Sequence, residues 1–164
     1  MKRKILFILL ANCLPLLQAE AQHNNSIKTV TPTVETSTTT ELTVNNSVTS
    51  YRYFDGLGRP LQNIQVGTTP GQYDLVDYQE YDVLGRESLT WLPVSLTAAN
   101  NGKPVALSTI QSRSSTLYSD SKAYSKPFYE NSPLNRVAEL YGPGQSWQNN
   151  GKSMKTEYLA NSAS

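Results

Sequence analysis

Four carboxylates in the middle of the chain are the residues whose types could support catalysis. Asp55, Glu80, Asp82 and Glu130 could supply the two acids that a glycosidase holds at a fixed separation. Asp55 and Asp82, however, each begin a turn, at a position where aspartate is expected on structural grounds. We therefore interpret these acids as structural and expect neither an enzyme nor a cofactor.

Other residues that carry chemistry are scarce. The chain has one Cys, which excludes an internal disulfide and a Cys-based metal site. Its one His, His23, lies beside the predicted cleavage point, so a Ser-His-Asp triad has no suitable histidine. The formal net charge of +1 gives no basic field that would hold nucleic acid. Trp91 and Trp147 fit either a sugar-binding platform or packing beneath hairpins, and packing is favoured.

Three related turns are the elements that would position these side chains. Each combines a short hydrogen-bonding side chain, a Leu, a residue that tolerates positive φ, and an Arg. The turn residues are Asp55, Gly58, Arg59, Asp82, Gly85, Arg86, Ser132, Pro133, Asn135 and Arg136. We expect positive φ at Gly58, Gly85 and Asn135, and each Leu (Leu57, Leu84 and Leu134) tucked beneath its turn. Each Arg could contribute to an anion site, but its recurrence favours pairing with a carboxylate or stacking on Tyr.

The segments around the turns indicate a mainly β fold of antiparallel hairpins. Alternating Tyr and aliphatic residues predict hairpins at about 51–66 and 76–92, and the third turn covers 128–144. An irregular insertion, 93–126, separates the second and third turns. Within it Leu107, Ile110, Leu117 and Tyr118 fit one face of a short helix. A further strand could begin at Lys155–Leu159.

The first 21 residues have the pattern of a signal peptide. Three basic residues precede a largely apolar run, and Ala19-Glu20-Ala21 supplies the small-x-small cleavage signature, so the mature chain would start at Gln22. The apolar run is too short for a transmembrane anchor. We expect an exported protein, periplasmic, cell-surface or extracellular, with no membrane span after cleavage.

Residues 22–49 form a Ser/Thr-rich segment. Thirteen of the 29 residues from 22 to 50 are Ser or Thr, with too few apolar side chains to offset chain entropy. A flexible leader is the favoured interpretation. The alternative is an edge strand from Glu41 to Val48, with Leu42 and Val44 on one face.

The ordered strings YRYFDGLGRPLQ, YQEYDVLGRES, SPLNRVAELYGPGQSW and MKTEY resemble an N-terminal domain of unknown function in exported rearrangement-hotspot (RHS) proteins of Gram-negative bacteria. The first two strings also resemble the tyrosine–aspartate (YD) repeat, Tyr-Asp-x-x-Gly-Arg, of those proteins. The resemblance covers about residues 50–158. At the third copy Tyr129-Glu130 replaces the Tyr-Asp pair, which marks a derived turn.

The resemblance implies a β module that begins or caps a long shell of RHS repeats, which can enclose a toxin. No long repeat array and no toxin are present, and residues 159–164 look like a truncated tail. We therefore expect a non-catalytic structural module whose partners are downstream RHS repeats or the rest of a shell. The alternative is a small stand-alone module that uses a Tyr/Trp face to bind a cell-surface protein or glycan.

Overall fold

A computed structural model describes residues 25–38, 42–43 and 45–159 of the 164-residue chain. The signal peptide, His23 and the cleavage residues Ala21 and Gln22 lie outside the described residues. No helix of the part that the structure describes is long and apolar enough to span a membrane.

Eight antiparallel strands form one sheet in which the strand order follows the chain order, and this confirms the predicted mainly β fold. The strands are β1 (Ser26–Pro32), β2 (Ser47–Phe54), β3 (Pro60–Gln65), β4 (Leu75–Tyr81), β5 (Glu87–Ser95), β6 (Tyr124–Tyr129), β7 (Val137–Tyr141) and β8 (Met154–Lys155). Helix α1 (Leu107–Tyr118) lies between β5 and β6, and α2 (Gln145–Asn149) between β7 and β8. Because each strand pairs with its neighbours in sequence, β1 and β8 are the two edges of the sheet.

The N-terminal segment differs from the expected flexible leader. Ser26–Pro32 forms β1 and pairs with the whole length of β2 up to Tyr53. The β-branched residues of β1 suit an extended backbone, and pairing with β2 satisfies the backbone groups on one side of β1, although every β1 side chain is exposed. The alternative edge strand from Glu41 is also not observed within residues 42–43 and 45–46. Asn46 instead accepts the Thr43 N–H through its side chain at 2.5 Å, in a turn that leads into β2.

The hydrophobic core lies on one face of β2 to β5, beneath α1 and the loop that precedes it. Its buried members come from all four strands, from Leu96 and Val105 in the connecting segments, and from Ile110 of the helix. The cluster comprises Tyr53, Ile64, Val76, Trp91, Val94, Leu96, Val105 and Ile110. The insertion predicted to be irregular therefore supplies the cover of the sheet, through a helix that packs against β4 and β5.

The helix buries a narrower face than the sequence pattern indicates. Ile110 and Ser114 are buried and Leu107 packs against the core. Leu117 and Tyr118, expected on the same face, are 46% and 38% exposed. Both residues belong to the last turn of α1, where the Tyr118 hydroxyl donates to the Pro93 carbonyl of β5.

Three polar side chains fasten the loop before α1 to the sheet. The Tyr53 hydroxyl donates to the Gly102 carbonyl at 2.6 Å, and the Gln62 amide exchanges two hydrogen bonds with the Val105 backbone. The buried Asp74 carboxylate accepts the N–H groups of Gly67 and Gly102 at 3.1 and 2.7 Å. Each of these three side chains thus has a hydrogen-bond partner, as burial requires, whereas the buried Ser114 hydroxyl has none among the described residues.

Candidate functional site

The first turn, residues 55–59, is built by its aspartate. One Asp55 carboxylate oxygen accepts the N–H groups of Leu57 and Arg59, both at 2.9 Å. The backbone closes through Asp55 N–H to the Arg59 carbonyl at 2.9 Å and Gly58 N–H to the Asp55 carbonyl at 3.0 Å. Gly58 has φ 78°, as predicted, which a residue with a side chain adopts only with strain.

The second turn, residues 82–86, repeats this geometry. Asp82 accepts the N–H groups of Leu84 and Arg86, both at 2.9 Å, and Gly85 has the predicted positive φ, 81°. In both turns the second carboxylate oxygen pairs with the Arg that ends the turn. In the first turn, Nε and Nη2 of Arg59 both lie 2.6 Å from this oxygen. In the second turn, Nε of Arg86 lies 2.8 Å and Nη2 lies 2.7 Å from it.

In the third turn, residues 130–136, two residues take the two roles that one aspartate has in the other turns. Ser132 accepts the Leu134 N–H at 3.2 Å, while Glu130 binds the Arg136 guanidinium through two bonds of 2.7 and 2.8 Å. This turn is two residues longer between carboxylate and Arg, so the longer Glu side chain is needed to reach. Asn135 takes the left-handed position with φ 53°, as predicted.

A tyrosine that follows later in the sequence stacks on each of these three guanidinium groups. The guanidinium carbon of Arg59 lies 4.3 Å from the centre of the Tyr81 ring, and that of Arg86 lies 4.3 Å from Tyr129. Arg136 lies 4.4 Å from Tyr158. These distances are those of a cation–π contact.

Each tyrosine hydroxyl also donates a hydrogen bond, and the acceptor is an equivalent backbone carbonyl in all three cases. Tyr81 donates to the Pro60 carbonyl at 2.8 Å, Tyr129 to Glu87 at 2.9 Å and Tyr158 to Val137 at 3.2 Å. The acceptor is in every case the residue directly after the covered Arg. We call each set of carboxylate, Arg and following Tyr a clasp: clasp 1 is Asp55, Arg59 and Tyr81; clasp 2 is Asp82, Arg86 and Tyr129; clasp 3 is Glu130, Arg136 and Tyr158.

The clasps shift the pKa values of their charged groups. Hydrogen bonds from the Arg59 and Arg86 backbone N–H groups are the largest cause that lowers the pKa of Asp55 and Asp82. The bond from the Arg136 side chain lowers the pKa of Glu130 and in turn raises that of Arg136. Burial raises the pKa of Tyr81 and Tyr129. All these shifts favour the ionised carboxylates and the neutral phenols.

An open groove lies on β6 to β8, next to α2. Leu140, Pro143, Trp147 and Met154 form much of its wall, together with Lys152, whose ammonium lies 5.3 Å from the Trp147 ring centre. Trp147 is 57% exposed, so the prediction that it packs beneath a hairpin is wrong. Trp91 does pack there: it is 7% exposed, contacts Tyr124 edge-on and donates to Glu80 at 2.5 Å.

Residues 28–160 match the domain of unknown function DUF6443. The chain belongs to this family. The match spans all three clasps, and no curated protein matches the chain.

The four acids considered as catalytic candidates in this DUF6443 domain are engaged in ion pairs or hydrogen bonds. Asp55, Asp82 and Glu130 each hold an Arg, and Glu80 accepts the indole N–H of Trp91. Among the described residues there is no group of three or more His, Cys, Asp or Glu side chains that could bind a metal. The arrangement is suited to joining successive hairpins.

Two features of the DUF6443 turns escaped the sequence analysis. The three Leu residues expected beneath the turns point outward instead, and Leu57, Leu84 and Leu134 are 80%, 71% and 68% exposed. The carboxylate or hydroxyl that accepts the Leu N–H occupies the inner side of the turn, which leaves the Leu side chain in solvent. Stacking of the Arg residues on Tyr was expected, but which Tyr covers each Arg was missed, although Tyr81 and Tyr129 directly precede the carboxylates of the next turns.

Proposed function

We propose that this DUF6443 chain is a non-catalytic structural module, the N-terminal opening or cap segment of an exported RHS-repeat shell. The observation that carries the proposal is the clasp, repeated three times along the sheet. Clasps 1 and 2 each join one turn to the end of the strand that precedes the next turn, and clasp 3 joins the third turn to Tyr158, which follows β8. A unit of this kind can be repeated without limit, as in other repeat proteins where each unit contacts only its neighbours.

The uneven cover of the sheet supports the same proposal. Helix α1 and the loop before it cover β2 to β5, whereas every residue of β6, β7 and β8 is half-buried or exposed. The edge of β8 has no strand partner among the described residues. A sheet that ends in an uncovered face and an unpaired edge is suited to continuation by further strands.

Export is part of this proposal and depends on the N-terminal sequence pattern alone. Intact-mass analysis of the periplasmic or extracellular fraction is expected to give a chain that starts at Gln22. A full-length chain in the cytoplasm would contradict export.

A stand-alone surface-binding module is the second candidate. Trp147 favours it, because an exposed indole beside Lys152 and Ser153 could bind a glycan or a protein. The two functions differ in what an additional strand does. A shell segment gains stability from it, whereas a complete binding module gains nothing.

The test compares the mature chain with a variant in which residues 159–164 are replaced by a second copy of residues 82–95. This places a YD-type turn and strand directly after Tyr158. We expect the parent chain to be weakly stable, protease-sensitive or self-associating, and the variant to be protected, with a midpoint higher by about 2–4 °C for each kcal/mol gained. A scrambled copy of the same length is the control. A monomeric parent with a cooperative transition above about 60 °C, and no gain in the variant, would favour the stand-alone module.

A further inference from the structure

The tetrapeptide Asn-Asn-Gly-Lys occurs twice in the chain, at residues 100–103 and 149–152. In both copies Gly directly follows Asn. Such a pair is chemically labile, because Gly has no Cβ to hinder its backbone nitrogen and leaves the backbone free to turn. The nitrogen can then attack the side-chain carbonyl of the Asn before it. Since the two copies have the same four residues, a difference in their reactivity would come from the structure around them.

The reaction converts the Asn amide into a carboxylate. The Gly nitrogen loses its proton and forms a bond to Cγ of the Asn, and the bond from Cγ to Nδ2 breaks, so that ammonia leaves and a succinimide ring remains. Water then opens the ring at either carbonyl and gives aspartate or isoaspartate. The balance is the uptake of water and the release of ammonia. The first step needs a Gly nitrogen that can lose its proton and approach Cγ.

The first copy lies in the loop before α1, and its Gly is held on all sides. Gly102 is buried, and its backbone packs against the Tyr51 ring. Its N–H donates to the Asp74 carboxylate at 2.7 Å, and its carbonyl accepts the Tyr53 hydroxyl at 2.6 Å. A proton bound to a carboxylate is harder to remove, and a backbone fixed on both sides of Gly102 cannot turn toward the Asn101 side chain.

The second copy lies at the end of α2, and its contacts are local and exposed to water. Asn150 and Gly151 are both exposed, and α2 buries no residue. The Gly151 N–H donates to the neutral Gln148 carbonyl at 3.2 Å, and the Asn150 amide donates to the Ser146 carbonyl at 2.7 Å. A Cβ added at Gly151 would meet no atom of the described residues within 4 Å. Opening of one helical turn therefore frees both reacting groups.

We propose that Asn150 is a site of spontaneous deamidation in the folded protein and that the fold protects Asn101. The product carries a new negative charge at the C-terminal end of a helix, where the helix dipole disfavours it. A carboxylate also cannot donate to the Ser146 carbonyl, so the last turn of α2 loses a hydrogen bond. Because α2 carries Trp147, the modification alters the groove beside that indole.

The test follows the intact mature chain during incubation at mildly alkaline pH, by mass spectrometry of its tryptic peptides. Residues 87–113 carry the first copy, and residues 137–152 carry the second. We expect the mass increase of an amide-to-acid change to appear in 137–152 about tenfold faster or more, which corresponds to about 1.4 kcal/mol in the cost of reaching the reactive arrangement.

Two controls separate the structure from the sequence. In concentrated urea the two peptides should react at equal rates, because the four residues are identical and the fold is gone. Asn150→Gln should abolish the mass increase in 137–152, since the longer side chain would have to close a larger, less favourable ring. This variant also distinguishes Asn150 from Asn149.

Loosening the first copy should expose its reactivity. Tyr53→Phe keeps the buried ring and removes the hydroxyl that holds the Gly102 carbonyl. It is expected to accelerate the reaction at Asn101 about fivefold, the effect of losing about 1 kcal/mol of local stability. Circular dichroism of the variant verifies that the sheet is intact.

Four results would overturn the proposal. They are no mass increase in residues 137–152 of the folded chain, equal rates for the two copies in the folded chain, rates that remain unequal in urea, and a mass increase that persists in Asn150→Gln. The third would assign the difference to flanking residues, and the fourth would move the site to Asn149.

Discussion

The middle of the sheet and its C-terminal end are stabilised in different ways. Strands β2 to β5 bury a continuous apolar cluster under α1 and the loop before it, with Ile64, Val76 and Val94 fully inaccessible to solvent. Strands β6 to β8 have the same antiparallel pairing and the same type of clasp, but bury no residue. Clasps and backbone pairing therefore suffice to position strands, while apolar burial is concentrated where the insertion supplies a cover.

This difference indicates what each part contributes. The hydrophobic term is proportional to the apolar area removed from water, so the middle of the sheet carries most of the stability. The C-terminal end of the sheet, β6 to β8, which we call the open end, is stabilised by ion pairs and cation–π contacts that are partly exposed, and each of these contributes little. We expect the open end to be the part that a further strand would stabilise.

The largest expected effect comes from truncating a buried side chain in the core, in the middle of the sheet. Ile64→Ala removes a fully buried side chain and is expected to cost about 2–5 kcal/mol of unfolding free energy. Leu140→Ala, on half-exposed β7, should cost less than about 1 kcal/mol, because solvent already reaches the site. Urea denaturation of both variants measures the difference, and equal losses would contradict the contrast between the two regions.

A substitution in the second turn should have the next largest effect. Gly85→Val is expected to cost about 1–2 kcal/mol or somewhat more, because it combines strain at φ 81° with displacement of the Arg59 guanidinium. Gly58→Val introduces the same backbone strain, but its side chain would contact no neighbouring atom. It should therefore cost less unfolding free energy than Gly85→Val.

Gly71→Val is the control for both glycine variants. Its φ is not in the left-handed region, and the atom that it would meet belongs to the exposed Tyr73 ring, which can move aside. It should cost the least of the three. Thermal unfolding gives the order, and equal losses at Gly85 and Gly71 would mean that the turn geometry does not constrain the fold.

The coupling within a clasp can be measured with a double-mutant cycle. Arg86→Gln and Tyr129→Leu, singly and together, are expected to give a coupling energy of about 0.5–1 kcal/mol, because the guanidinium stacks on the ring at 4.3 Å. The corresponding cycle at Arg136 and Tyr158, which are more exposed, should give a smaller value. A larger coupling in clasp 3 would reverse the contrast between the regions.

The smallest expected effect is the acid dependence that the clasps confer. The folded state lowers the pKa of Asp82, so the stabilisation is present above the ordinary aspartate value of about 3.9 and is lost as pH falls through the lower, folded value. Asp82→Asn should therefore flatten the pH dependence of stability below about pH 4. Stability curves of equal steepness in parent and variant would show that Asp82 does not contribute.

Local turn chemistry was accessible from the sequence, and so was the positive φ at Gly58, Gly85 and Asn135. Those features depend on neighbours within five residues. The interval between Arg86 and Tyr129, by contrast, contains the whole insertion, so no fixed spacing marks the contact. The signal that could have found it is the aromatic residue directly before the carboxylate of the next turn.

Tertiary contacts also decided which elements formed and which side chains were covered. Strand β1 contains no buried side chain, and only its pairing with β2 accounts for it. Leu117 has a helical position suited to burial, yet it is 46% exposed in the last turn of α1. The periodicity of a short segment cannot show where its packing surface ends.

Hydrogen exchange of the backbone amides tests most directly the claim that the sheet has a stable middle and an open end. The exchange free energy of β6 and β7 amides is expected to be lower than that of β3 and β4 amides by about 1.4 kcal/mol or more, a rate difference of about tenfold. The difference should shrink in the variant extended after Tyr158. Equal protection of the two regions in the parent chain, unchanged by the added strand, would contradict the account.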